Sequence, residues 1–130
     1  MSPGLTLVFW GFVLFEAKHF LCDFVLQSAY QYRNKGIYGH PGGILHAGLH
    51  GLGSLPAVLI FGQSAGLVAA VLAAEFAVHY HVDWSKEQVN RRWGLSHSDA
   101  PYWMVFGADQ LAHQITYVAM LGVLARAANL

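Results

Sequence analysis

Four apolar segments, at roughly 5–30, 44–61, 65–88 and 101–127, constrain what this chain can fold into, because about 20 apolar residues is the length that carries a helix across the hydrocarbon of a bilayer. None of the four is uniformly apolar. The first is broken by "EAKHFLCD", the third closes in "EFAVHYHVDWSKE", and the fourth contains "GADQLAHQ". Ionisable groups inside a span are expensive in hydrocarbon and turn toward a protein interior. Each segment is therefore expected to direct one wet face at the others. The joins are "QYRNKGIYGHPGG", the brief "GQS" and "VNRRWGLSHSD", which make consecutive helices antiparallel neighbours. The expected fold is all-α, a four-helix transmembrane bundle running up-down-up-down as one domain over residues 1–130. A soluble four-helix protein is the alternative, since the polar breaks lower every hydropathy peak.

Composition agrees with the membrane reading: 55% of the residues are hydrophobic and 11% charged, more apolar than an ordinary soluble domain. Glycine and alanine in "AGLHGLG" and "AGLVAAVLAA" permit close helix approach. Arg33 and Lys35 follow the first segment, and Lys86, Arg91 and Arg92 follow the third. Positive charge stays on the cytoplasmic side, so both of those loops are expected there, with the termini outside. A formal net charge of zero and the absence of a basic stripe set nucleic acid aside as a partner. Cys22 stands alone, which excludes an intramolecular disulfide and a zinc knuckle. The opening "MSPGLTLVFW" lacks the basic region and cleavage site of a secretory signal, so the first segment is expected to be retained.

The ionisable residues have a shared spacing. His19 with Asp23, His46 with His50, His79 with Asp83, and Asp109 with His113 give each segment one pair at i, i+4. Such a pair lies on one helix face one turn apart and can grip a single ion. In an alternating bundle, pairs late in segments one and three and early in segments two and four fall at the same depth, toward the cytoplasmic end. Five imidazoles and three carboxylates in one layer suit a divalent metal, zinc first, with manganese or iron as alternatives, and supply donors for one or two ions. Some of the eight can serve as supporting partners, since a ligating histidine needs its second nitrogen held. A water on such an ion ionises near neutral pH, which makes hydrolysis the natural chemistry.

Around the layer, Lys86 and Lys35 are candidates to bind an anionic group, with a positive-inside anchor as the ordinary role of each. Gln27 and Gln110 continue the polar faces of their helices and are candidates to hold substrate or ligands by hydrogen bonds. Glu75, one turn from His79, is either a ligand or base, or the partner of Lys18. His40, His81 and His97 lie off the shared faces and are read as interfacial. The tryptophans and most tyrosines cluster near segment ends, as interface anchors do.

The motifs "HFLCDFVLQ", "ILHAGLH", "HYHVDWSK" and "ADQLAH" together resemble those of DUF3307, a family of small bacterial and phage membrane proteins known as a domain of unknown function. His19, Asp23, Phe24 and Gln27 match one of its patterns; His79, Asp83 and Lys86 a second; Asp109, Gln110 and His113 a third. The resemblance implies a bacterial inner-membrane setting. There is also an analogy to small membrane proteins proposed as metal-dependent hydrolases. The leading expectation is a membrane metalloprotein that hydrolyses a lipid or amphiphilic phosphate or ester from the cytoplasmic leaflet, with membrane lipid as its surroundings and a homo-oligomer left open. Three alternatives stand beside it. They are a metal transporter or channel subunit, a structural factor whose histidines and aspartates hydrogen-bond the helices together, and a soluble helical metallophosphohydrolase.

Overall fold

The computed structural model describes residues 1–130, which form helices and turns without a strand. Helix α1 (Pro3–Phe20) starts behind Ser2, whose hydroxyl accepts from the Leu5 N–H, with Pro3 in the first turn, where a missing donor is tolerated. It runs into one π-turn, Leu21–Val25, closed by the Leu26 N–H donating to the Leu21 carbonyl at 2.8 Å. Helix α2 (Ala29–Asn34) opens with a reciprocal cap between Ser28 and Gln31. Then come α3 (Pro41–Gly53), α4 (Leu55–Leu59), α5 (Ala65–Trp93) and α6 (Ala100–Ala127). Gly94 ends α5 at φ 62°, the left-handed cap that glycine adopts without a Cβ clash. Ahead of α6, the Ser96 hydroxyl and backbone N–H both donate to Asp99 at 2.7 Å and hold its carboxyl below the usual range.

These boundaries correct the sequence expectation in three places. The helix expected over 5–30 gives way to a π-turn and ends by Leu26, because Ser28 caps a new helix in another direction. The helix expected over 44–61 begins earlier, at Pro41, and is interrupted at Ser54, since Pro56 has no N–H to donate back along the helix. The helix expected over 65–88 continues to Trp93, which places Arg91 and Arg92 on α5 instead of in a loop.

Side-chain pairings show that the long helices are antiparallel. Between α3–α4 and α5, His46 meets Asp83 and Ser54 meets Glu75; between α5 and α6, Lys86 meets Asp109. Between α6 and α1, Tyr117 meets His19 and Phe15; between α1 and α3, Lys18 meets His50. A cluster of buried apolar side chains, including Phe15, Val58, Phe61, Val71, Leu121 and Leu124, fills one half of the interior. The histidines and aspartates occupy the other.

Two helical stretches, Pro3–Val25 and Ala65–Trp93, are long and apolar enough to cross a membrane, and little more than a quarter of each apolar window is buried inside the molecule. The remaining helices do not meet that standard alone. α3 and α4 are each short, and α6 carries Asp109, Gln110, His113 and Gln114 along its middle.

Close approach of α2 to α3 depends on Gly42, where an added Cβ would stand 2.9 Å from the Tyr30 carbonyl oxygen. Gly48→Ala, whose Cβ meets nothing within 4 Å, gains helix propensity of about 1 kcal/mol. Gly42→Ala must move backbone at a cost of about 1–3 kcal/mol. Thermal unfolding in detergent is expected to show a lower midpoint for Gly42→Ala and an equal or higher one for Gly48→Ala.

Candidate metal centre

The centre begins with Asp83, whose side chain is 4% exposed. A buried carboxylate needs charged or hydrogen-bonding partners, and Asp83 finds them on several elements. Lys35, just after α2, donates to Oδ1 at 3.1 Å. His46 of α3 places Nε2 3.0 Å from Oδ2, and His79 of α5 places Nε2 3.4 Å from the same oxygen. Lys86 lies 3.5 Å and His113 of α6 3.9 Å from Oδ1. Asp23, on the π-turn, is the second focus. Its Oδ1 lies 3.1 Å from Nε2 of both His46 and His50, and its Oδ2 lies 3.3 Å from Nε2 of His19. π-turns recur where function demands a locally altered register, and this one swings Asp23 toward α3.

Many of these atoms are close without being hydrogen bonded. Nε2 of His46, His79 and His113, Oδ2 of Asp83 and Oδ1 of Asp109 are buried and have no hydrogen-bond partner. Nitrogen and oxygen donors that converge in this way could hold a cation. Zinc–nitrogen bonds of about 2.0–2.1 Å place tetrahedral ligand atoms about 3.4 Å apart. The nitrogen-to-oxygen separations of 3.0–3.4 Å around His46, His50, His79, Asp23 and Asp83 match that spacing.

Two groups of donor atoms lie within 4.8 Å of one another: Asp23, His46, His50 and His79, and then His79, Asp83 and His113. His79 belongs to both. Its ring is stacked between His50, with centroids 3.7 Å apart, and His113, at 4.1 Å. His19 and Asp109 fall outside both groups. Both ring nitrogens of His19 are engaged, Nδ1 with the Tyr117 hydroxyl and Nε2 with Gln110 Oε1, each at 3.0 Å. Asp109 accepts from Gln110 Nε2 at 3.1 Å and lies 3.6 Å from both Lys86 and His113. Both nitrogens of His19 are thus satisfied by side chains, whereas Asp109 keeps Oδ1 unpartnered beside His113. The carboxylates of Asp23, Asp83 and Asp109 share the layer with the ammonium groups of Lys35 and Lys86, and Glu87 lies 3.7 Å from Lys86 at its edge.

The layer opens toward the loop side through a pocket of about 290 Å³ whose wall includes Asp23, Gln27, Lys35, Lys86 and Gln110. The four residues singled out for substrate contact therefore share one cavity. Gln27 Nε2 donates to the Asp23 carbonyl at 3.2 Å, which leaves its own carbonyl oxygen free for the pocket. Lys35 and Lys86 are only 5% and 9% exposed at the side chain. Burial argues against a role for either as a surface anchor, and the exposed positive charge at this end is left to Arg33 on α2 and to Arg91 and Arg92 on α5.

Beneath the histidines lies a second polar layer. Lys18 pairs with Glu75, both buried, and Ser54 Oγ donates to Glu75 Oε1 at 2.8 Å. Lys18 also approaches His50 Nδ1 at 3.3 Å and sits 4.4 Å over the Tyr117 ring. Of the two roles open to Glu75, the structure shows the pairing with Lys18. Ser54 and Tyr117 were not singled out from the sequence. Each lies four residues beyond a centre histidine, His50 and His113, so extending the same face by one turn would have found both.

An all-helical chain with a buried histidine and aspartate layer between antiparallel helices is the class that fold and site define. Residues 12–130 match the family described as a protein of unknown function, DUF3307, and the chain belongs to that family. No curated protein and no solved structure matches it.

Removing one partner of a buried ion pair strands a charge and costs about 3–5 kcal/mol, whereas replacing both by apolar groups is close to neutral. Glu75→Gln is thus expected to lower stability sharply in detergent, and the double substitution Lys18→Met with Glu75→Leu to recover most of the loss. Denaturant titration followed by tryptophan fluorescence distinguishes the two.

Proposed function

We propose that the protein is an integral membrane metalloprotein, a four-helix transmembrane bundle of up-down-up-down topology in a bacterial inner membrane. On this reading α1 with its π-turn, α3 with α4, α5, and α6 are the four columns, and the loops after the first and third face the cytoplasm. Outward-facing Phe9, Trp10, Phe12, Leu111, Ile115 and Val118 support lipid as the surrounding medium. At roughly 43 Å for 29 residues, α5 exceeds the ~30 Å hydrocarbon thickness. Its polar end, with Arg91 and Arg92, overhangs on the cytoplasmic side.

The centre is proposed to hold one or two divalent ions, zinc foremost, and to hydrolyse a lipid or amphiphilic phosphate or ester presented from the cytoplasmic leaflet. The observation that carries this is the convergence of unpaired imidazole nitrogens and carboxylate oxygens at 3.0–3.4 Å beside a pocket lined by two lysines. A bound divalent ion supplies Lewis acidity and an ionised water. The chain's own groups do the remaining work. Lys35 and Lys86 offset negative charge on the substrate, Gln27 and Gln110 position it, and His19 holds α6 to α1 through Gln110 and Tyr117. The apolar cluster below the centre supports a site with one entrance, in place of a transit path.

Metal analysis by mass spectrometry on detergent-purified protein tests the reading. One or two tightly held ions per chain are expected, lost in the double variant His46→Ala with His50→Ala. Wild-type protein that stays free of metal after supplementation with zinc, manganese and iron overturns the hydrolase and leaves the layer as interhelical hydrogen-bonding groups.

A further inference from the structure

A second cavity lies on the flank of the molecule, between α5 and α6, and meets the centre described above only at Lys86 and Asp109. It is a wide-open groove with a volume of about 590 Å³. Small side chains make it: Ala77 and Ala112 at the deep end, Ala108 in the wall, and Val89 and Val105 at the loop end. Val78 in its lining is exposed, as are Met104 and Leu111 on α6, so the opening faces the same medium as the rest of the apolar exterior. Lys86 and Asp109 are the charged residues in its lining. Lys86 also lines the polar pocket above the centre, which makes its ammonium group the junction of the two cavities.

We propose that this cleft seats one acyl chain of an anionic phospholipid, with the lipid phosphate held at Lys86. The inference rests on the transmembrane reading and names the substrate class for the proposed hydrolase. Length supports it: the nine residues from Lys86 back to Ala77 span about 14 Å of helix, and one leaflet of hydrocarbon is about 15 Å deep, half of ~30 Å. A chain lying along the cleft from Lys86 ends where the cleft ends. A free phosphate in water satisfies Lys86 and leaves the apolar cleft without an occupant.

The test uses the full chain in nanodiscs of phosphatidylcholine, doped with phosphatidic acid that carries a diazirine in its acyl chain, with peptide mapping after illumination. Crosslinks are expected to concentrate on residues 77–89 and 105–112 and to fall several-fold in Ala108→Phe, which fills the cleft. Ala119→Phe, an exposed position on the same helix outside the cleft, should leave labelling unchanged. Diazirine phosphatidylcholine should label every outward face evenly. Even labelling by both lipids, or cleft labelling that survives Ala108→Phe in protein with wild-type thermal stability, overturns the proposal. Crosslinking reads occupancy without turnover, so protein that labels in the cleft yet holds no metal loses the hydrolase reading and keeps this one.

Discussion

Burial of the Asp83 carboxylate is the constraint on which the rest of the molecule depends. A lone carboxylate in a medium of low dielectric is prohibitively unfavourable, and no single helix can surround it. Its neighbours come from the segment after α2, from α3, from α5 itself and from α6, while Asp23 on the π-turn draws α1 in through His46 and His50. Each helix thus carries part of the counter-environment for a charge seated elsewhere. On the proposed transmembrane reading, apolar surfaces that meet lipid gain little from meeting one another, so packing and polar contacts must select the arrangement. The histidine and aspartate layer provides that selection as well as the candidate chemistry.

Much of this was legible in the sequence for a simple reason. An i, i+4 pair fixes a helix face, and four such pairs at matching depths fix a layer. His46, His50, His79, Asp83 and His113 meet as that spacing implies, and Lys35, Lys86, Gln27 and Gln110 line one pocket. The division of labour within the layer was not legible. His19 and Asp109 have the same spacing as the other six, and only the structure shows that Gln110, Tyr117 and Lys86 also engage them, outside the two convergent groups. The break after Leu26 and the interruption at Ser54 escaped because hydropathy registers neither a π-turn nor a proline that lacks its donor. Lys35 and Lys86 were weighed as anchors because a lysine near a segment end normally is one, and here tertiary pairing with Asp83 turns both inward.

The interior is stratified. At the loop end a polar pocket admits the surroundings, beneath it stand the histidines and aspartates, then the Lys18–Glu75 pair with Ser54, and finally a dry cluster around Phe15 and Leu124. Lys18 and Glu75 neutralise one another, so the layer below the donors adds no net charge to the centre above. It adds rigidity instead, since Lys18 meets both the His50 ring and the Tyr117 face. The donors are gripped from one side by this pair and from the other by Lys35, Lys86 and Gln110.

The π-turn at Leu21–Val25 separates two properties that are usually entangled in a membrane chain. Removing one residue from it would leave the apolar character of the first segment almost untouched, so insertion into a bilayer would proceed as before. The same deletion would turn Asp23 by about 100° about the helix axis and carry it off His46 and His50. On the proposed transmembrane reading, insertion of this chain is governed by composition and assembly of its centre by register, and the two can fail independently.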